Sequence, residues 1–297
     1  MSRDPETRGM AWGLLGVAIF GLTLPFTRLA IVDLHPLFVA LGRAIVAAIP
    51  AALVLAWSRA PVPPRALWIR LAIASLGVVI GFPIAATIAM TSVPASHGAV
   101  VLGLLPLGTA LAGTLRGGER PSAAFWICAV AGSALVVWFA LRESGGGFVA
   151  ADGWLAFAVV SASIGYAEGA VVSRVLGGWQ TISWILVLTA PVIAIPVLLT
   201  GIGGDLRAVG QSAWLGFFYV SLFSMFLGFF AWYRGLALGG TARVGQIQLL
   251  QGFFTLIGGW AIAGETLALD TFLFCAAVAA IVALGRRTAI QRAPARD

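Results

Sequence analysis

The chain is a succession of apolar stretches of roughly 20 residues, about ten in all, parted by short connections that carry arginine. A stretch of that length and polarity crosses a bilayer as a helix, because in lipid every backbone N–H and C=O must be satisfied inside the segment. The expected spans are 10–32, 36–57, 66–90, 94–115 and 122–141, then 153–176, 181–200, 212–238, 241–263 and 267–285. Charged residues make up only 10% of the chain and hydrophobic ones 60%, against roughly 25% charged in a soluble domain. Mean hydropathy is +1.01, more apolar surface than a soluble core can hide.

All 18 basic residues are arginine, and the formal net charge is +7. Most lie between the spans or at their ends, so they read as topology signals and not as a nucleic-acid surface. With both termini in the cytoplasm, Arg3, Arg8, Arg59, Arg65, Arg70, Arg116, Arg120, Arg174, Arg234, Arg243, Arg286, Arg287, Arg292 and Arg296 face inward. Only Arg142 and Arg207 fall in outer loops. The expected placement is a multi-pass protein of the inner (plasma) membrane, with residues 1–9 and 286–297 as cytoplasmic tails, the latter disordered. The first span lacks a convincing cleavage site and reads as a retained helix.

Two segments, 94–119 and 240–265, align without gaps. Gly113 meets Gly259, Thr109 meets Thr255, and the Gly118-Glu119 end meets Gly264-Glu265. At the same offset Arg28 falls on Arg174 and Ser75 on Ser221. Five spans per half is an odd number, so two such halves enter the membrane from opposite sides. The expected fold is therefore all-α, ten transmembrane helices arranged as two inverted five-helix repeats, 10–141 and 153–285, joined by the Gly-rich linker 142–152.

Chemistry is sparse. Cys128 and Cys275 lie inside spans and form no spaced pair, so they read as buried small apolar residues. Histidine occurs only at His35 and His97, both near the outer face, and no nucleophile–base pair, metal cluster or Gly-x-Ser-x-Gly element appears in the spans. An intramembrane enzyme is disfavoured, and no cofactor or metal is expected.

The polar residues inside spans form the candidate site. Glu168 is the one acid placed well within a span. Its charge costs at least about 2.5 kcal/mol on insertion scales, so it is a substrate-amine or proton-coupling group, a structural partner for Arg43 or another polar group, or a protonated packing residue. Gln246, Gln248 and Gln251 cluster in the ninth span, where 94–119 has Val100, Leu102 and Leu105. Their amides can bind a zwitterion or join helices. Tyr166 lines the pore or packs. His97 contacts a cavity mouth, senses pH or is a satisfied interfacial histidine. Arg43 holds a substrate carboxylate, snorkels, or pairs with Asp33. Pro25, Pro83, Pro106, Pro191 and Pro196 permit kinks, static or hinging. Trp12, Trp57, Trp68, Trp154 and Trp214 read mostly as interface anchors.

Trp12-Gly13 in the first span, His35-Pro36 with Arg43 in the second, Gly118-Glu119-Arg120-Pro121 and Gly264-Glu265 together resemble the drug/metabolite transporter superfamily, EamA type. The resemblance covers nearly the whole chain. It implies a cavity lined by spans one, three, four, six, eight and nine, alternating access, and export of a small metabolite, with the YddG-like amino-acid exporters as the indicated branch. A nucleotide-sugar or sugar-phosphate carrier is the alternative; such cargo wants several basic residues in the cavity, and only Arg28 and Arg43 lie within spans. Expected partners are the small-molecule substrate, the lipid bilayer and, as a possible coupling ion, protons, with no nucleic acid; the oligomeric state is open.

Overall fold

Prolines decide where several of the long helices break. A proline supplies no N–H, so the turn before it loses its i→i−4 bond and adopts another winding. The computed structural model describes residues 5–143, 148–201, 206–266, 269–285 and 290–292. The first helix, α1 (Pro5–Gly21), ends ahead of Pro25 and resumes as α2 (Thr23–Ala30). After α3 (Pro36–Trp57), α4 (Trp68–Ser75) passes through a π-helical stretch, Leu76–Gly81, into α5 (Phe82–Ala89), which carries Pro83 at its start. Next, α6 (Ala95–Val101) tightens to a 3-10 turn, Leu102–Leu104, before α7 (Leu105–Gly117), which opens on Pro106. Proline does not always break a helix here, since α10 (Gly178–Gly201) runs unbroken through Pro191 and Pro196.

The remaining helices are α8 (Ala123–Glu143), α9 (Ala150–Leu176), α11 (Gln211–Phe218), α12 (Phe229–Gly239), α13 (Thr241–Gly245), α14 (Leu249–Ala263) and α15 (Leu269–Gly285). A π-helical stretch, Tyr219–Gly228, joins α11 to α12, and a 3-10 turn, Gln246–Gln248, joins α13 to α14. Neither follows a proline, and nothing in the local sequence announces them. Among the described residues seven helical stretches are long and apolar enough to cross a membrane: Pro5–Ala30, Pro36–Trp57, Arg65–Ala89, Ala95–Arg116, Ala150–Leu176, Gly178–Thr200 and Gln211–Gly239. The Ser-Gly-Gly-Gly part of the expected linker lies outside the described residues. Residues 290–292, expected to be disordered, form instead a short strand β2 (Ile290–Arg292) antiparallel to β1 (Glu119–Pro121). Pro121 cannot donate to the ladder, which keeps this ribbon short.

The Gly-Glu ends are caps. Gly118 (φ 71°) and Gly264 (φ 66°) both adopt the left-handed conformation that glycine enters without steric cost, and each donates its N–H five residues back, to Gly113 and Gly259. These are the residues that the internal alignment superimposes. At the other end of α6, Glu265 satisfies two helix-start donors: Oε1 accepts from Ala95 N–H at 2.7 Å and Oε2 from Ser96 N–H at 3.0 Å. Arg28 Nε stands 3.4 Å from Oε1, and its Nη1 donates to the Val93 carbonyl at 2.5 Å.

Close packing centres on α1 against α12 and α3 against α10. A Cβ on Gly235 would lie 2.7 Å from Gly13 N, and one on Gly9 would lie 2.5 Å from Gly239 N. Backbone thus meets backbone with no room for a methyl group, the small-residue contact favoured where lipid supplies no hydrophobic drive between helices. The outward faces carry Leu53, Trp57, Ile69, Leu115 and Leu199, each mostly exposed, as a lipid-facing surface requires.

Candidate functional site

Arg43 and Tyr166 form the centre of the candidate site. His35-Pro36 opens α3: His35 Nδ1 accepts the Leu37 N–H at 3.2 Å, and Pro36 sits at the first helical position, where no N–H is needed. Two turns on, Arg43 is buried, with 3% of its surface exposed. Neither partner that the sequence suggests is present. Asp33 Oδ2 instead accepts the Gly210 N–H at 2.9 Å, and Glu168 is engaged elsewhere. Arg43 Nε is enclosed without a hydrogen-bond partner, and among the described residues the guanidinium makes no ion pair. Its electrostatic neighbour is the phenol of Tyr166 on α9.

Tyr166 is itself buried and sits in an aromatic wall. Its ring lies 5.5 Å from Trp232 and 6.0 Å from Phe229, and Phe20 of α1 lies 4.9 Å from Phe229. Trp232 is fully buried, yet its indole N–H has no partner. Sequence reasoning assigned the tryptophans mainly to the interfaces and did not single out Trp232. The signal was its position seven residues inside the α12 terminus, too deep for an interfacial anchor. Tyr233, beside it, is committed: its hydroxyl donates to the Gly165 carbonyl at 3.2 Å.

Glu168 stands two residues after Tyr166 and faces another way, as the spacing requires. Its carboxylate is 1% exposed and is held by two arginines from other helices. Arg70 Nη1 of α4 donates to Oε2 at 2.7 Å, and Arg116 Nε of α7 donates to Oε1. Arg70 and Arg116 are 38% and 41% exposed, so the long side chains reach down from the surface and cover the buried acid. From sequence both looked like interfacial arginines, and neither was foreseen as a partner.

At the opposite end of α9, Asp152 Oδ1 lies 2.7 Å from His97 Nε2 of α6, and its Oδ2 accepts the Val149 N–H at 3.0 Å. His97 is thus a paired interhelical residue. The three glutamines are buried but do not act as one cluster. Gln248 Oε1 accepts from Thr109 Oγ1 at 3.1 Å, while both side-chain polar atoms of Gln246 and the Oε1 of Gln251 are enclosed without partners. The ninth-span helices pack on α7, α1, α2 and α6, whereas α3, which carries Arg43, packs on α10, the Tyr219–Gly228 stretch and α5. Arg43 and Tyr166 are thus electrostatic neighbours, while the glutamines lie on helices that do not pack closely on α3.

A separate apolar groove of about 340 Å³ lies between α4 and α10, lined by Trp68, Leu71, Leu76, Ile80, Ile185 and Val192. Leu76 and Val192 are largely exposed on its flank. Nothing charged lines it, so it suits an acyl chain better than a polar solute. Among the described residues no group of His, Cys, Asp and Glu could hold a metal ion.

The EamA-like transporter family model matches the chain twice, over residues 7–140 and 150–285. The uncharacterized transporter YdeK of Bacillus subtilis (strain 168) is 45% identical over 285 residues, covering 93% of this chain and 98% of its own length. A solved crystal structure 17% identical in sequence superposes with a TM-score of 0.67, covering 93% of this chain and 98% of that one, and shares the fold. The duplicated family match and a transporter relative 45% identical over nearly the whole length make the apolar bundle a membrane transporter with a small-molecule substrate: the chain belongs to the EamA-like transporter family.

Proposed function

We propose that the protein exports small carboxylate-bearing metabolites, with amino acids as the leading class, by alternating access through a site centred on Arg43 and Tyr166. The observation that carries this reading is a buried arginine with no counter-charge. Burying an unpaired ion costs several kcal/mol, so such a group persists where a ligand completes it. A guanidinium offers two parallel donors matched to a carboxylate, and the hydroxyl of its neighbour Tyr166 supplies a further donor. The Arg70–Glu168–Arg116 cluster closes one end of the bundle, and His97–Asp152 and Arg28–Glu265 tie helices at the other. Gln246, Gln248 and Gln251 remain as polar groups for the path that the substrate follows.

The architecture behind this reading is ten crossings in two inverted repeats, 10–141 and 153–285, in the inner membrane with both termini cytoplasmic. The paired left-handed caps at Gly118 and Gly264 and the π-helical stretches in the third and eighth spans support it, as does the duplicated family match. On that orientation the Arg70–Glu168–Arg116 cluster is the cytoplasmic closure.

The test is efflux from proteoliposomes loaded with labelled amino acids, with and without a pH gradient. Efflux above empty liposomes supports the reading, and none for any amino acid refutes the substrate class. Reporters in the 142–152 and 116–121 loops check the architecture: the first must be outside and the second inside, and both on one side would overturn it.

A further inference from the structure

We propose that the site selects by net charge and takes a small organic anion carrying one net negative charge; this rests on the reading of Arg43 as the carboxylate-binding group. Two observations carry it. The first is the Arg43 guanidinium, 3% exposed, with its Nε unpartnered, no ion pair among the described residues and Tyr166 as its electrostatic neighbour. The second is that every carboxylate whose side chain is described already has a partner. Glu6 pairs with Arg243, Asp33 takes the Gly210 N–H, Asp152 pairs with His97, and Glu168 pairs with Arg70 and Arg116. Glu265 pairs with Arg28 and caps α6, and Asp270 takes the Thr271 N–H.

The electrostatic consequence is direct. The site presents one positive charge and no carboxylate that could receive an ammonium. An anion bound there leaves the pocket neutral. A zwitterion neutralises Arg43 but brings a cation of its own into a low-dielectric interior, where it needs a partner. Neutral acceptors that could soften this, the Gln246 and Gln251 carbonyls, lie on helices packed away from α3. A diamine or other cation meets Arg43 as a like charge. The order of preference is therefore monoanion over zwitterion over cation. Hydroxy acids fall in the first group, as do acidic amino acids, whose second carboxylate offsets their own ammonium; neutral amino acids fall in the second.

The test uses the purified full-length chain in proteoliposomes with four small probes: lactate, glutamate, alanine and putrescine. Lactate and glutamate should move at least tenfold faster than alanine, and putrescine not at all. Arg43→Gln should remove the advantage of the anions, and Arg43→Lys should keep part of it. Thermal-shift titration of detergent-purified protein gives a second readout: the carboxylates should stabilise the wild type and not Arg43→Gln. Alanine moving as fast as lactate and glutamate overturns the selection and leaves amino-acid transport standing. Lactate moving while no amino acid moves, glutamate included, refutes amino-acid export and also the net-charge rule, which places glutamate beside lactate. Carboxylates that shift wild type and Arg43→Gln equally overturn the proposal whatever the fluxes show.

Discussion

Glu168 and Arg43 are two charges buried to the same degree in one helical bundle, and the structure treats them in opposite ways. The acid is held by two arginines that reach in from the surface. The base has no ion partner among the described residues. A satisfied buried charge holds helices in register, here α4, α7 and α9. An unsatisfied one is a standing cost that only a bound anion removes. On the proposed reading, the missing partner and not burial alone distinguishes the transport residue.

The largest expected effect comes from making Glu168 resemble Arg43. Replacing both Arg70 and Arg116 by Gln strands a buried carboxylate, which should cost about 3–5 kcal/mol. Thermal unfolding in detergent would read this as a lower midpoint, and adding Glu168→Gln should restore most of it. No loss in the double variant would mean that the cluster does not hold the bundle.

Two smaller effects separate packing from charge. Gly235→Ala puts a methyl 2.7 Å from Gly13 N, and overpacking of this kind costs about 1–3 kcal/mol. The same melt would show it, and an unchanged midpoint would mean that α1 and α12 can part cheaply. Glu265→Gln keeps one acceptor at the start of α6 but loses the charge facing Arg28, a change of about 1 kcal/mol by analogy with helix caps. The smallest stability effect should come from Arg43→Gln, which removes a charge that nothing compensates. Its melting midpoint should stay level or rise, while carboxylate transport falls at least tenfold, about 1.4 kcal/mol.

Much of the fold is legible in the sequence, because hydropathy and span length report directly on the requirement to satisfy the backbone in lipid. The Gly-Glu ends are legible for a different reason: only glycine takes the left-handed cap freely, so Gly118 and Gly264 mark helix ends by themselves. Proline foretells the breaks near Pro25, Pro83 and Pro106. It does not foretell the π-helical stretch Tyr219–Gly228, which no local residue type announces.

The site was legible only in part. Arg43, Tyr166 and Glu168 stand out as polar groups in apolar spans, yet their partners could not be read. Arg70 and Arg116 occupy positions typical of surface arginines, and only the folded packing shows their side chains turned inward to Glu168. Asp33 seemed a natural mate for Arg43 by proximity in sequence, but it serves the Gly210 backbone instead. Trp232 was hidden among eleven tryptophans, most of them near span ends. Side-chain direction over a distance of several ångströms is a tertiary property that spacing along the chain does not encode.

Equilibrium binding of a labelled monocarboxylate to purified wild type and Arg43→Gln tests the central claim most directly, with unfolding midpoints confirming that both are folded. The account predicts saturable binding to wild type and at least a tenfold weaker Kd for Arg43→Gln at an equal or higher midpoint. Equal affinity in the two folded proteins would contradict it.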